Sequence, residues 1–213
     1  MPIPKKLPFV LAPNFPVSVH LWEIEETVDE LVALLPDSSV LVQPPYVNFK
    51  STSRQKEWLA VRALLAQAVN PSVSIIYNEH GRPFLSPRLS ECSVSHTKGY
   101  AALALSSKEV GMDIEQISGR AYRLTDHFLQ DEEMALVEMD NPETMAVLLW
   151  SAKESVYKLY DIEGLELKSD IRLTLETADQ PFRLLVNVTG TDRHAEVLGY
   201  VTDEYVLTIA TFL

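Results

Sequence analysis

The sequence predicts an α+β fold, and three observations predict it. Helical apolar patterning occurs twice, over about 52–69 and about 142–160. Each helix is followed by strand-length segments separated by Gly, Asp and Pro turns. The element order is therefore strand, helices, strands, helices, strands. The two halves are weakly alike, helix then hairpin twice, without letter-for-letter repetition.

In order, the first sixteen residues carry Pro2, Pro4, Pro8, Pro13 and Pro16, which disfavour helix. The broken apolar run 7–12 is wrong for a signal peptide. Val17 to Glu25 alternates as a strand, with Val17, Val19 and Leu21 on one face. Thr27 caps a short helix that Pro36 and Asp37 end. Pro44 and Pro45 mark a turn-rich connection. The helix over about 52–69 combines Trp58, Leu59, Val61, Leu64 and Leu65 with helix-favouring alanines, and Asn70-Pro71 stops it. Strands follow over 73–77, 93–95 and 100–105, with a turn at Asn78 to Gly81. A further turn at Ser106 to Lys108 returns the chain like a hairpin, which sets His96 and Asp113 on neighbouring strands. A loop carries Arg120, and a short helix starts at Asp131, Glu132 and Glu133 and runs to about Met139. After the second long helix, 171–177, 182–188, 194–201 and 205–212 read as three or four antiparallel strands.

Composition narrows the function classes. The chain has 213 residues, 46% hydrophobic and 23% charged, as in an ordinary globular protein. A net charge of -12 makes nucleic acid a poor partner, since backbone binding needs dense positive surface. No run has the roughly eighteen apolar residues of a membrane span. The single Cys92 excludes an intrachain disulfide and a thiolate metal cluster. It reads as a small buried side chain rather than a nucleophile. These observations set a cytoplasmic location as the default.

Chemistry concentrates between Glu91 and Glu115. Asp113 and Glu115 are two apart in extended chain, so they share a face while Ile114 turns to the core. Such a pair suits a hard divalent ion, or else is a polar strand end with two solvated acids. In the second long helix, Trp150, Glu154 and Lys158 lie on one stripe. Glu154 and Lys158 make either a surface ion pair or, if the helix crosses the acidic strand, a third oxygen donor and a cation. Three carboxylates without His or Cys favour magnesium over zinc. Lys153 sits roughly 100° round the helix from Glu154, able to flank a ligand. Lys50, Arg54, Lys56 and Arg62 form a basic cluster, either a solvated helix face or a phosphate site. His20, His80 and His194 read as structural, surface or turn residues.

Four ordered motifs then converge: Gly81 to Leu85, Ser93 to Thr97, Val110 to Glu115 and Trp150 to Lys158. Together they resemble the 4'-phosphopantetheinyl transferase superfamily, in its larger two-lobed, monomeric, surfactin-synthetase-activating group. The resemblance implies a pseudo-twofold arrangement of two similar α/β lobes, each with an antiparallel sheet packed against a long helix. It implies an N-terminal lobe over 1–112, a C-terminal lobe over 113–213, and an active site between them. The implied reaction moves the phosphopantetheine arm of coenzyme A to a serine of an apo acyl or peptidyl carrier protein, releasing adenosine 3',5'-bisphosphate. The implied metal ligands for Mg²⁺ are Asp113, Glu115 and Glu154. His96 and Lys158 are implied as pyrophosphate contacts, with Ser95 beside them. Arg54, Lys50 and Arg62 are candidates for the adenosine 3'-phosphate, Arg82 and Pro83 for the nucleotide side, and Lys153 for phosphate or support. Glu154, Lys158 and His96 are the implied catalytic set. Two other readings use the same residues: a Mg²⁺-dependent nucleotide pyrophosphohydrolase and a non-catalytic carrier-binding module.

Overall fold

A computed structural model describes residues 16–42, 45–79 and 81–213. The proline-rich N-terminus, Pro44 and His80 lie outside the described residues. In the first half, β1 (Val17–Glu23) and α1 (Val28–Ala33) precede the long α2 (Thr52–Ala68). Then come β2 (Ser74–Tyr77), β3 (Pro83–Ser86), β4 (Glu91–Thr97) and β5 (Tyr100–Ser106). The second half holds β6 (Val110–Gln116), the short helical turns α3 (Gly119–Tyr122), α4 (Thr125–Phe128) and α5 (Met134–Val137), and the long α6 (Pro142–Tyr160). It closes with β7 (Ile171–Thr177), β8 (Phe182–Val188), β9 (His194–Val201) and β10 (Tyr205–Phe212).

The two halves repeat one plan. In the first, an antiparallel sheet of order β1-β5-β4 packs against α2, and β2-β3 forms a separate hairpin. In the second, an antiparallel sheet of order β6-β10-β9-β8-β7 packs against α6. Local chemistry explains the boundaries. Thr27 and Glu30 form a reciprocal capping box at α1. Asn141 caps α6 through the Thr144 amide, with Pro142 at its first turn. Each long helix buries an apolar face: Leu59, Ala63 and Leu64 in α2, and Leu149, Ala152, Val156 and Leu159 in α6.

Between the sheets lies a third apolar cluster. Val17, Val19 and Leu21 of β1 meet Met112 and Ile114 of β6, with Leu207 and Ile209 of β10. Trp22, next to Leu21 in β1, faces the α2 core instead, so the strand is buried on both faces at that end, while Ser18 at the other end is exposed.

The change of sheet falls in the turn before Val110, so an N-terminal lobe ending at residue 112 would end inside β6. The hairpin-like return after β5 does not form a ladder, because β6 pairs with β10. Instead β4 and β6, edge strands of their two sheets, meet through side chains. Alternation in β4 puts Ser93, Ser95 and Thr97 on one face. Their hydroxyl oxygens accept from the amides of Met112 at 2.9 Å, Ile114 at 3.3 Å and Gln116 at 3.2 Å. Three hydroxyls thus satisfy outward amides that an unpaired edge would leave open.

Candidate active site

Gly111 sets the distance between β6 and α6. A Cβ there would stand 1.9 Å from the Ser155 carbonyl oxygen and 2.7 Å from the Leu159 amide nitrogen. Only glycine lets the strand lie this close to the helix backbone. Asp113 and Glu115 follow at i+2 and i+4, so they share the face that Gly111 presents to α6. The helix carries Lys158 to Asp113 and Trp150 to Glu115.

Asp113 Oδ1 accepts from Lys158 Nζ at 2.7 Å and from Ser95 Oγ at 2.8 Å. Lys158 Nζ also donates to Ser95 Oγ and to the Met112 carbonyl, both at 3.1 Å. Lys158 therefore turns to the strand acid rather than to Glu154 one turn back. Trp150 Nε1 donates to Glu115 Oε1 at 3.2 Å. Burial, and then the Asp113 charge, push the Glu115 carboxyl up to about 6. The same two causes raise Glu154 above the ordinary carboxylate range. Three acids thus feel one another across a partly dry space.

The other face of β4 carries a second cluster. His96 Nδ1 lies 3.0 Å from Arg54 Nη1 and 3.1 Å from Glu57 Oε2. Burial, followed by the Arg54 charge, holds the His96 pKa below its usual value. Lys158 and Asp113 perturb it too, so the two clusters adjoin at the end of β4. A recess of about 290 Å³ opens beside Glu57, lined by Thr52, Ser53 and Lys56. Another of about 260 Å³ flanks Glu115, lined by Ser118, Arg120, Leu124 and Trp150.

Other expected residues fall elsewhere. Lys153 is fully buried; Nζ donates to Glu133 Oε2 at 2.7 Å and to the carbonyls of Ile171 at 2.8 Å and Leu167 at 3.0 Å. The Lys153 side chain is enclosed by the C-terminal core with no exposed surface, so a phosphate cannot reach it, whereas the Lys158 side chain keeps an exposed face. Arg62 lies over the Trp58 ring, two turns of α2 beyond Arg54. Lys50 is exposed just before α2. Arg82 stands 3.9 Å from both Glu91 and Asp161, and Asn78 Nδ2 donates to the same Asp161 carboxylate at 3.2 Å. Pro83 opens β3. Cys92 is buried, which pushes its thiol up to about 12 and keeps it from acting as a thiolate.

Sequence reasoning missed Glu57, Ser93 and Thr97. Glu57 is three residues after Arg54 on one helix face, and the Ser-Val-Ser-His-Thr alternation marks the hydroxyl rungs.

Among the described residues, no three His, Cys, Asp or Glu side chains are gathered as a metal cage. The donor chemistry still fits a hard divalent cation. The donors are all oxygens, Asp113 Oδ2 is buried without a hydrogen-bond partner, and its two acidic neighbours are raised by burial and then by its charge.

At this junction a sheet edge offers carboxylates to a lysine-bearing helix, with the Arg54 end of a second long helix behind it. Residues 109–210, just under half of the chain, match the 4'-phosphopantetheinyl transferase superfamily. The match takes in Asp113, Glu115, Glu154 and Lys158, whereas Arg54, Ser95 and His96 precede it. The chain is similar to 4'-phosphopantetheinyl transferase AcpT of Escherichia coli K12, 36% identical over 49% of this chain and 57% of the relative. It is similar to AcpT of Salmonella typhi, 33% identical over 58% of this chain and 65% of the relative. The transferase gsp of Aneurinibacillus migulanus is 31% identical over 53% of this chain and 50% of its own length. The matched stretch thus spans between half and two thirds of each relative.

Proposed function

We propose that the chain transfers the 4'-phosphopantetheine group of coenzyme A to a serine hydroxyl of an apo acyl or peptidyl carrier protein, releasing adenosine 3',5'-bisphosphate. The observation that carries this reading is the junction where Asp113, Ser95 and Lys158 interlock beside Glu115 and Glu154. The relatives, named as 4'-phosphopantetheinyl transferases, support it.

Each residue then has a task. Asp113, Glu115 and Glu154 would hold Mg²⁺, which when bound neutralises charge on the pyrophosphate. Lys158 offers a cation to the departing bisphosphate. His96 and Arg54 offer donors to phosphate from the N-terminal side. Glu154, with its raised pKa, suits acceptance of the serine proton. Ser95 orients Asp113 and Lys158 together.

Carrier proteins of this kind are acidic, and this chain has a net charge of -12, so docking needs a locally apolar or basic face. The turns α3 and α4 beside Glu115 present Arg120, Tyr122, Arg123 and Leu124 to solvent. We place the protein in the cytosol as a monomer; among the described residues no helix is long and apolar enough to cross a membrane. Incubation with coenzyme A, Mg²⁺ and apo carriers tests the function. A carrier heavier by one phosphopantetheine arm supports it, and no gain on any carrier of the source cell counts against it.

A further inference from the structure

Arg62 opens onto a different part of the molecule from Arg54, about 12 Å further along the α2 axis. A cleft of about 740 Å³ runs there between α2, β2 and the segment after α1. Leu35, Val40, Leu65, Val73 and Ile75 give it apolar walls. Clefts of roughly 300–1,000 Å³ with such walls and a few polar groups hold small molecules.

The polar group here is a cation in need of a counter-ion. The Arg62 guanidinium lies 3.1 Å from the centre of the Trp58 ring. Nη1 donates to the Trp58 carbonyl at 3.2 Å, and the Tyr77 hydroxyl is its other polar neighbour. Burial draws its pKa down to about 10, and among the described residues no carboxylate offsets this. Asp37 also lines the cleft, but it is turned to the Ser39 amide and hydroxyl and makes no ion pair with Arg62. The ring beneath the guanidinium adds a donor without an acceptor, since Trp58 Nε1 is buried and has no partner among the described residues. Buried charges are normally paired, and buried donors normally bonded.

We propose that this cleft binds a small amphiphilic anion, with its carboxylate or phosphate on Arg62 and its apolar body along the Leu65 and Ile75 wall. The site is separate from the carboxylate junction and stands independently of the transferase reading. An anion there supplies the charge and the acceptor oxygens that Arg62 lacks. The Ile75 wall accepts a chain and gives a neutral head no advantage.

The test titrates octanoate, octyl phosphate, octanol and octyltrimethylammonium into the full chain, by calorimetry and by the Trp58 indole N–H resonance. Both anions are expected to bind and shift that resonance; the tighter of the two assigns the headgroup. Arg62→Gln is expected to weaken the anions roughly tenfold or more. Ala66→Leu, which fills the cleft and leaves Arg62 in place, is expected to weaken them as well. If Arg62→Gln melts early, Ala66→Leu and the charge series decide. Octanol binding as tightly as octanoate overturns the proposal, as does undiminished anion binding by a folded Arg62→Gln. Competitive displacement of octanoate by coenzyme A overturns the claim of a separate site.

Discussion

Gly111→Ala would put a methyl group 1.9 Å from the Ser155 carbonyl oxygen and 2.7 Å from the Leu159 amide nitrogen. Ordinary contact needs about 1.5 Å more than the first distance allows. Both obstacles include helix backbone, which cannot rotate aside, so α6 must move off β6. Overpacking of this kind costs about 1–3 kcal/mol. For a chain of this size that lowers the melting temperature by roughly 2–12 °C. The same movement separates Lys158 Nζ from Asp113 Oδ1, now at 2.7 Å. A misplacement of about 1 Å costs on the order of 100-fold in rate. Thermal melting followed by fluorescence, and carrier modification at saturating coenzyme A, read the two effects. A variant that melts like the parent and transfers at the parental rate would refute the role of the strand–helix approach.

Ser95→Ala removes bonds to Asp113, to Lys158 and to the Ile114 amide, and is expected to cost about 1–3 kcal/mol in urea unfolding. Lys153→Met strands the Glu133 carboxylate in the core and is expected to cost about 3–5 kcal/mol by the same measurement; a loss below about 1 kcal/mol would mark the pair as unimportant. The pH dependence follows from Glu115, raised from 4.5 to about 6 by burial and by Asp113. A raised carboxyl contributes stability that is fully present below its unfolded pKa and is lost as pH rises through about 6. Mg²⁺ is therefore expected to raise the melting temperature at about pH 7.5 and to do little at about pH 4.5, where it competes with protons. Equal stabilisation at both values would remove the acids from cation binding.

The long helices and the four C-terminal strands were legible because their periodicity is strong and their ends carry caps or turn residues. The stripe Trp150, Glu154 and Lys158 was legible for the same reason, since helical spacing fixes which residues share a side. Contacts between sheets were not. Whether β6 joins β5 or β10 depends on pairing nearly a hundred residues away, and local pattern favours the nearer strand. The hydroxyl rungs of β4 look like ordinary polar alternation until an edge strand is set opposite them. Lys153 misled because its position around α6 was known but not what covers that side. It points to Glu133, to Leu167 before β7 and to Ile171 at the start of β7, which close over it. Arg54 and Arg62 looked like one cluster in sequence, yet two helical turns carry them to different openings.

Transfer by Asp113→Ala, beside the parent, tests the central claim most directly. Intact-mass measurement of apo carriers given coenzyme A and Mg²⁺ is the readout, with melting curves to check the fold. The parent is expected to modify a carrier, and the folded variant to be slowed by at least about 100-fold. A folded variant that modifies the carrier at the parental rate would contradict that claim.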